Sequence, residues 1–415
     1  MDCVTIESAD FLGNIESEFK PAPLKEKDIH QSLLDPVWPD GSMQTLFDIV
    51  KPKESICFIV SDHTRKTACD RILPVILNGL KEKGCSIEDM SVLIASGIHR
   101  PPTPQEIKEI LGPETERILR NRIFLHNCDD RSCLMDVGTT KRGHNVRVNK
   151  RALSADRLIP IGSAAYHYHA GFGGGRKSLV PGIADRNTIA HNHSLTLDPE
   201  QNKIHPHANI GTLDGNPVSE EMLESAYMCK PDIIINTVLS PAGELVGVFS
   251  GELDAAHRAA CRLVEKVCRI DITEKADIVI AFASKASNWV QSHKALFNAS
   301  RAVKDNGTII LSAPCPEGLG NERFRYWIKK ENLKEIFVEL RQAPEILGQT
   351  ALSTKTRGNK TILITEMPAQ DRKDLGIRTA PDIDSAIKTA LADRQSVSDI
   401  TYYLMPHARY TVPFC

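Results

Sequence analysis

Ser55-Ile-Cys-Phe-Ile-Val60 is apolar after its first residue and runs directly into the polar segment Ser61-Asp-His-Thr-Arg65. An amphipathic stretch over residues 68–83 separates this run from a second one, Ser91-Val-Leu-Ile-Ala95. Short apolar runs of this kind are typical of strands that are covered on both faces, and parallel strands need a helical crossover between them. The order therefore predicts an α/β fold with largely parallel sheets.

The same alternation continues along the rest of the chain. Thr103-Pro-Gln-Glu106 combines an N-cap, a proline at the first helical position and the acidic residue of a capping box, which predicts a helix from Pro104. The first 30 or so residues and the segment 354–360 are interpreted as surface or linker. Later β-branched runs predict further strands at Arg157–Ile161, Asp232–Thr237, Asp277–Ala283, Thr308–Ser312 and Thr361–Thr365.

The chain has 415 residues, which at about 100–200 residues per domain gives roughly two or three domains. The boundary is expected after the helical stretch Leu253–Cys268, because a fresh unit opens at Ala276-Asp-Ile-Val-Ile-Ala281. We predict an N-terminal α/β domain over residues 1–270 and a C-terminal α/β domain over residues 271–415, with the active site in the cleft between them. The last 25 or so residues are expected to pack back on the first domain.

The balance of charges and the length of the apolar runs give no reason to expect a nucleic-acid or membrane partner. Lys and Arg number 51 against 53 Asp and Glu, which leaves a net charge of -2 and gives no reason to expect a nucleic-acid or anionic-membrane partner. The apolar runs are far shorter than the roughly 20 residues that cross a bilayer, and the N-terminus does not resemble a signal peptide. We therefore expect a cytoplasmic protein. Its 11 cysteines include no Cys-x-x-Cys pair, so most are expected to be reduced core residues rather than metal ligands.

Functional side chains cluster where predicted strands end. Each of the runs at 55–60, 91–95 and 157–161 is followed at once by polar residues, and nine of the fourteen histidines lie between residues 99 and 207. Because ligands of open α/β sheets bind at the carboxyl ends of strands, the site is expected to be built mainly by the first domain.

The densest segment is Tyr166-His-Tyr-His-Ala-Gly-Phe-Gly-Gly-Gly-Arg-Lys-Ser178. Its glycines would let the backbone approach a ligand closely and aim several N–H groups at an anion. A mobile surface loop is the alternative interpretation. A nucleotide-binding P-loop is not expected, because Arg176 stands where that motif requires its second glycine.

Three further groups have weaker patterns. His191 and His193 are two residues apart and so point to different faces of a helix, which leaves each as either a metal ligand or a structural histidine. Arg65 is either a carboxylate-binding or phosphate-binding residue or a surface cation paired with Asp62. Gln291 and Lys294 are three residues apart and share one helical face.

Taken together, these segments resemble the lactate racemase family, whose members use a nickel-pincer nucleotide cofactor. The resemblance covers about residues 50–310. The motifs that carry it are Asp62-x-Thr-Arg65, Gly97-x-His-Arg100, His167-x-x-Ala-Gly-Phe-x-Gly-Gly-x-Lys177, His193 and Gln291-x-x-Lys294.

The resemblance implies a role for each matched position. The cofactor, a pyridinium-3-thioamide-5-thiocarboxylic acid mononucleotide that carries nickel, would be bound covalently to Lys177, and His193 would be the nickel ligand from the protein. His99 and His167 would be the catalytic acid–base pair. Further cofactor contacts would come from Asp62, Thr64, Gly173, Gly174 and Gly175, and the substrate would be bound by Arg65, Gln291 and Lys294.

The implied function is a racemase or epimerase that inverts C2 of a 2-hydroxy acid by reversible hydride transfer to the cofactor. This sequence has Gly173 where the family has serine and Lys66 where proline is usual, and it adds polar groups at His63, Tyr168 and His169. These differences favour a substrate larger than lactate, such as a malate-like or sugar acid. The alternatives are a non-catalytic or a zinc-dependent small-molecule-binding protein that uses the histidine cluster.

Overall fold

The computed structural model describes residue Ile6 and residues 9–284, 286–394 and 399–415. The chain forms two compact units. The first unit comprises Pro21–Glu265, and the second unit comprises Met1–Lys20 together with Lys266–Cys415. The assignment of independent domains with a boundary at residue 270 stays a prediction.

Strands and helices alternate along most of the chain. The strands are β1 Ala9–Asn14, β2 Ile56–Ser61, β3 Met90–Ala95, β4 Ile123–Leu125, β5 Leu134–Thr139, β6 Asn145–Asn149, β7 Arg157–Ala164, β8 Tyr166–His167, β9 Gly171–Phe172, β10 Ile234–Leu239, β11 Leu245–Gly251, β12 Arg269–Asp271, β13 Ala276–Phe282, β14 Val303–Ser312, β15 Thr361–Ile364, β16 Arg378–Thr379, β17 Ile400–Met405 and β18 Val412–Phe414. The helices are α1 Glu26–Leu33, α2 Leu46–Ile49, α3 Cys69–Glu82, α4 Pro104–Leu111, α5 Pro113–Leu119, α6 Lys150–Leu153, α7 Arg186–Ser194, α8 Pro217–Met228, α9 Leu253–Cys268, α10 Trp289–Ala299, α11 Glu322–Ile328, α12 Leu333–Gln342, α13 Ile346–Gly358, α14 Ala369–Leu375 and α15 Ile383–Ala392.

The first unit is built on a six-stranded sheet in the order β11-β10-β7-β2-β3-β4. Its pairs are parallel except for β10 with β11. Phe58 and Ile59, neighbours on β2, belong to two different hydrophobic clusters, so both faces of the sheet are buried. That two-sided burial explains the unbroken apolar run of β2. The predicted α/β fold class is confirmed.

The second unit has a sheet of six parallel strands in the order β1-β17-β13-β14-β15-β16. Near the C-terminus, β17 lies inside this sheet and β18 pairs with β12 of the same unit. The C-terminal residues thus pair within the second unit, and their expected packing on the first domain stays a prediction. Strand order in a parallel sheet depends on long-range pairing, which local sequence patterns do not encode.

Two segments interpreted as surface or linker are ordered elements with exposed residues, so the linker interpretation was wrong for both. Within the first 30 residues, Ala9–Asn14 is the edge strand β1 and Ile15 is fully buried, although residues 1–5 and 7–8 lie outside the described residues. In the segment 354–360, Thr354 to Gly358 form the last part of α13. Thr354 is buried, and its hydroxyl is satisfied because it donates to the Thr350 carbonyl and accepts from the Trp289 indole.

The predicted capping box of α4 agrees with the structure. Thr103 caps α4, its hydroxyl accepting from the Glu106 amide while the Glu106 carboxylate accepts from the Thr103 amide. All ten cysteines in the described ranges are free, and eight of them are buried. No helix among the described residues is both long enough and apolar enough to cross a membrane.

Candidate active site

Three adjacent strands of the first unit, β7, β2 and β3, end at the same edge of the sheet. Each strand leads into a segment that carries a predicted site residue: Asp62 follows β2, His99 follows β3, and His167 lies in the short hairpin after β7. Parallel strands place their carboxyl ends together, and this explains why residues far apart in sequence meet here.

Asp62 holds His99 in one orientation. The Asp62 carboxylate is 1% exposed, and its Oδ2 accepts a hydrogen bond from His99 Nδ1 at 2.7 Å. Its Oδ1 accepts from the Thr64 amide at 3.0 Å and from the Thr64 hydroxyl at 2.6 Å. Burial alone would raise the pKa of Asp62, but the hydrogen bonds from His99 and Thr64 outweigh it and keep this pKa low. An ionised carboxylate at Nδ1 keeps the proton there, so Nε2 is the basic atom of His99.

His167 is held in the opposite tautomer. Its Nδ1 accepts the backbone N–H groups of His169 at 3.2 Å and Ala170 at 3.1 Å, so the neutral ring carries its proton on Nε2. The ring stacks on Tyr168 with an interplanar angle of 4°. The hydrogen bonds thus present one imidazole with a basic Nε2 and one with a protonated Nε2.

The glycine-rich segment turns tightly against the end of β7. Gly174 has a φ of 80°, and a Cβ added there would lie 2.7 Å from the Ala164 nitrogen. Gly175 has a φ of 49°, and its added Cβ would lie 2.9 Å from the His257 ring. Gly173 differs, because its nearest neighbour would be 3.5 Å away. Two of the three predicted loop glycines are therefore required by the backbone itself.

Lys177 follows this turn in a short 3-10 segment, Gly175–Ser178, and lies within electrostatic reach of His193 on α7. Burial of His193 and the positive charges of Lys177 and His99 lower its pKa to about 3. His193 is therefore a neutral imidazole at neutral pH, the form that binds metal ions. Lys177 and His99 thus both lie close enough to His193 to affect its pKa, and the roles of these three residues stay a prediction.

His191 occupies the other face of α7, as its spacing from His193 predicts. Its Nε2 pairs with the buried Glu221 carboxylate at 3.1 Å, and its ring stacks on His144 at 4.2 Å between centroids. His191 is therefore bound to a structural cluster, whereas His193 faces the candidate site.

The predicted substrate-binding residues lie in both units. Arg65 is exposed, and its guanidinium donates to the Thr64 carbonyl at 3.1 Å. The Asp62 carboxylate pairs with His99 rather than with Arg65. Gln291 and Lys294 lie one turn apart on α10 of the second unit, and both are partly buried.

Two buried residues near the site had no signal in the sequence. Arg176 and His257 are 81 positions apart, and Arg176 donates to His257 beneath the glycine turn at 2.7 Å. The partnership of Asp62 with His99 was also missed, since the resemblance assigned Asp62 to the cofactor. Tertiary contact alone creates these pairs, and neither spacing nor residue type in the sequence points to them.

No set of three His, Cys, Asp or Glu side chains in the described part of the chain is arranged to hold a metal ion. The zinc-dependent alternative therefore has no assembled ligand set in that part of the chain. A metal at His193 needs most of its ligands from another source.

Comparison with known families covers both units. Residues 3–204 match the lactate racemase N-terminal domain, and residues 272–406 match the lactate racemase C-terminal domain. The lactate racemase of Thermoanaerobacterium thermosaccharolyticum is 31% identical over 379 residues, 88% of this chain and 86% of that protein. The lactate racemase of Lactiplantibacillus plantarum is 33% identical over 328 residues, 77% of this chain and 74% of that protein.

Solved structures agree with this assignment. The apoprotein of the T. thermosaccharolyticum lactate racemase superposes with a TM-score of 0.84 at 27% identity, covering 98% of this chain and 95% of that one. A Thermotoga maritima protein shares the fold with a TM-score of 0.66 at 18% identity, covering 94% of this chain and 99% of that one. This chain therefore belongs to the lactate racemase family of isomerases.

Proposed function

We propose that this isomerase inverts C2 of a 2-hydroxy acid and that it uses a nickel-pincer nucleotide bound to Lys177. The observation that carries the proposal is the pair of imidazoles, His99 and His167, that are held in opposite tautomers on the sheet edge where Lys177 lies close enough to His193 to affect its pKa. Inversion at one carbon needs one group that takes a proton and another that gives one, and this pair meets that need.

The residues around Lys177 fit the proposed cofactor. His193 offers a neutral nitrogen donor, and imidazole is a suitable ligand for nickel. Lys177 offers an amine for covalent attachment within electrostatic reach of that donor. The turn at Gly174 and Gly175 packs against the protein with no room for side chains, so the path of the loop that leads to Lys177 is fixed.

When bound, the cofactor supplies an electron-pair acceptor for the hydride that leaves C2. The protein handles the hydroxyl proton. In one direction, Nε2 of His99 takes this proton, and the Asp62 carboxylate stabilises the resulting imidazolium through Nδ1. Nε2 of His167 then donates its proton to the new alkoxide on the opposite face of the carbon, which leaves an imidazolate at His167 and an imidazolium at His99 until solvent returns one proton to His167 and removes one from His99. The reverse reaction uses the same two groups in exchanged roles.

The substrate carboxylate requires cationic or hydrogen-bonding partners. Arg65 follows β2 directly after Thr64 and presents an exposed guanidinium, which suits a carboxylate. Gln291 and Lys294 share a face of α10 and supply an amide and an ammonium group. We propose that these three side chains orient the substrate.

We also propose that the substrate is larger than lactate. Tyr168 stacks on His167 at 5.0 Å between ring centroids, which adds a hydroxyl-bearing side chain beside the reacting groups. Nδ1 of His63 is buried without a hydrogen-bond partner, and the ring lies in the segment that also carries Asp62. Lys66, in contrast, donates to the Gly243 carbonyl at 2.9 Å and is not assigned to the substrate. Assays with lactate, malate and gluconate test this proposal, and lactate as the best substrate would contradict it.

Mass spectrometry tests the cofactor assignment. Protein from a host that makes the nickel-pincer nucleotide should contain nickel and show added mass on the peptide with Lys177. Lys177→Ala should lack the added mass. His99→Ala should keep it but lose activity, because that residue acts on the substrate. An unmodified Lys177 in active wild-type protein would overturn the proposal.

A further inference from the structure

Arg176 stands directly before Lys177 and points into the protein. The side chain is 1% exposed, so its charge is removed from water. Its guanidinium donates to Nδ1 of His257 on α9 at 2.7 Å and to the hydroxyl of Ser219 on α8 at 2.9 Å. The Nε atom is buried without a hydrogen-bond partner. This residue therefore links the loop before Lys177 to two helices.

His257 also contacts the glycine-rich loop that precedes Lys177. The imidazole is fully buried, and its Nε2 donates to the carbonyl of Gly173 at 2.8 Å. Gly175 lies against the face of this ring, since a Cβ there would be 2.9 Å from it. The hydrogen bonds from Arg176 to His257 and from His257 to Gly173 thus connect the two ends of the glycine turn. They hold in place three glycines that have little conformational preference of their own.

The charge on Arg176 and the burial of His257 favour one protonation state of the imidazole. Burial and the positive charge of Arg176 lower the pKa of His257 far below its ordinary value, so the imidazole stays neutral. A neutral imidazole can accept at Nδ1 and donate at Nε2, as both contacts require. The guanidinium has an imidazole and a hydroxyl as partners instead of a carboxylate, an unfavourable way to bury a charge. Such an arrangement is expected where local geometry matters more than stability.

We propose that Arg176 and His257 are positioning residues that lock the Gly173–Gly175 turn and so present the Lys177 amine toward His193. This inference rests on the proposed function in one respect, namely that Lys177 is the attachment point. The lock itself is a property of the cofactor-free chain. It can therefore be tested without turnover.

Amide hydrogen exchange of the full-length, cofactor-free protein tests the lock. In Arg176→Met, amides in residues 173–178 should exchange at least tenfold faster than in wild type. Overall stability should change little, because replacing a buried charge by an apolar side chain of similar volume is often neutral or stabilising. Exchange in β13 of the second unit should stay within twofold. Ser219→Ala removes one partner of the guanidinium and should give a smaller local acceleration.

Arg357→Met is the matched control. This arginine is also desolvated, burial lowers its pKa to about 10, and it donates to the hydroxyls of Ser300 and Ser353. It lies in the second unit, so exchange in residues 173–178 should not change. Unchanged exchange there in Arg176→Met, or an acceleration that is equal in β13, would overturn the inference, because the arginine would then have no local role.

Attachment of the cofactor to Lys177 connects the positioning role of Arg176 with the proposed function. In a host that makes the cofactor, Arg176→Met should carry the added mass on Lys177 in at most one tenth of the wild-type fraction. Wild-type loading in Arg176→Met would also overturn the inference. Absence of added mass in wild type would instead refute the proposed function, while the exchange measurement would still decide whether the lock exists.

Discussion

Replacing Asp62 with asparagine removes one charge from the candidate site while keeping the shape of the side chain. Asparagine retains the oxygen that accepts from the Thr64 amide and hydroxyl, so the loop after β2 should hold its conformation. The amide NH2 group then replaces the carboxylate oxygen that accepts from His99 Nδ1 at 2.7 Å in the wild type, so it donates to Nδ1 and moves the ring proton to Nε2, the atom assigned as the base. An imidazolium that forms during turnover then has no neighbouring carboxylate to stabilise it.

The loss of that one contact sets the minimum size of the effect. A hydrogen bond to a charged group contributes about 1.5–3 kcal/mol. At about 1.4 kcal/mol per factor of ten, kcat/KM of Asp62→Asn should fall by roughly 10- to 150-fold. Rates are measured in both directions and divided by nickel content, so that a change in cofactor loading does not enter the comparison.

Asp156→Asn provides the control. Asp156 accepts from the amide and hydroxyl of Ser55 at 2.8 and 2.7 Å, at the opposite end of β2. Asp156 makes the same kind of contact as Asp62 but lies away from His99. The value of kcat/KM for Asp156→Asn should therefore stay within twofold of wild type. An Asp62→Asn enzyme with equal loading and a rate within twofold of wild type would refute the assignment of His99 as the acid–base group that Asp62 orients.

Three other changes have defined outcomes. Asp277→Asn, which leaves two cations without their carboxylate, should lower stability by about 3–5 kcal/mol in denaturant titrations. Burial alone would raise the pKa of Asp277, but its hydrogen-bond partners lower it. The stabilisation of the folded state by Asp277 is therefore full above about pH 3.9 and is lost as the pH falls further. If stability fell equally with pH in Asp277→Asn and in wild type, this explanation would be contradicted. Gly174→Ala should abolish loading of Lys177 by mass spectrometry, whereas Gly173→Ala, with its nearest contact at 3.5 Å, should load normally. Lys294→Met should raise KM at least tenfold with normal loading, and an unchanged KM would remove it from the substrate site.

Local patterns in the sequence predicted the elements that carry the site. The apolar run of β2 follows from burial on both faces of the sheet, and the start of α4 follows from its capping box. The opposite faces of His191 and His193 follow from helix geometry, and the structure gives them different partners. These predictions succeeded because each depends on residues that are close together in the chain.

The remaining features depend on contacts across long stretches of sequence. β1 pairs with β17, which lies near the other end of the chain, and no residue of β1 is fully buried, so its sequence lacks the apolar run that marks strands such as β2. The end of α13 was taken for a linker because it is polar, yet its hydroxyls donate to carbonyls one turn back. Arg176 and His257 likewise meet only in the folded chain. No local pattern contains this information.

Isotope tracing at C2 tests the proposed reaction most directly. A 2-hydroxy acid labelled with deuterium at C2 is racemised in ordinary water, and the label at C2 of the product is measured by mass spectrometry. Hydride transfer predicts that the product keeps its deuterium while the chiral centre inverts. Exchange of the label for solvent hydrogen at the rate of inversion would show proton abstraction from carbon, and that result would contradict the account.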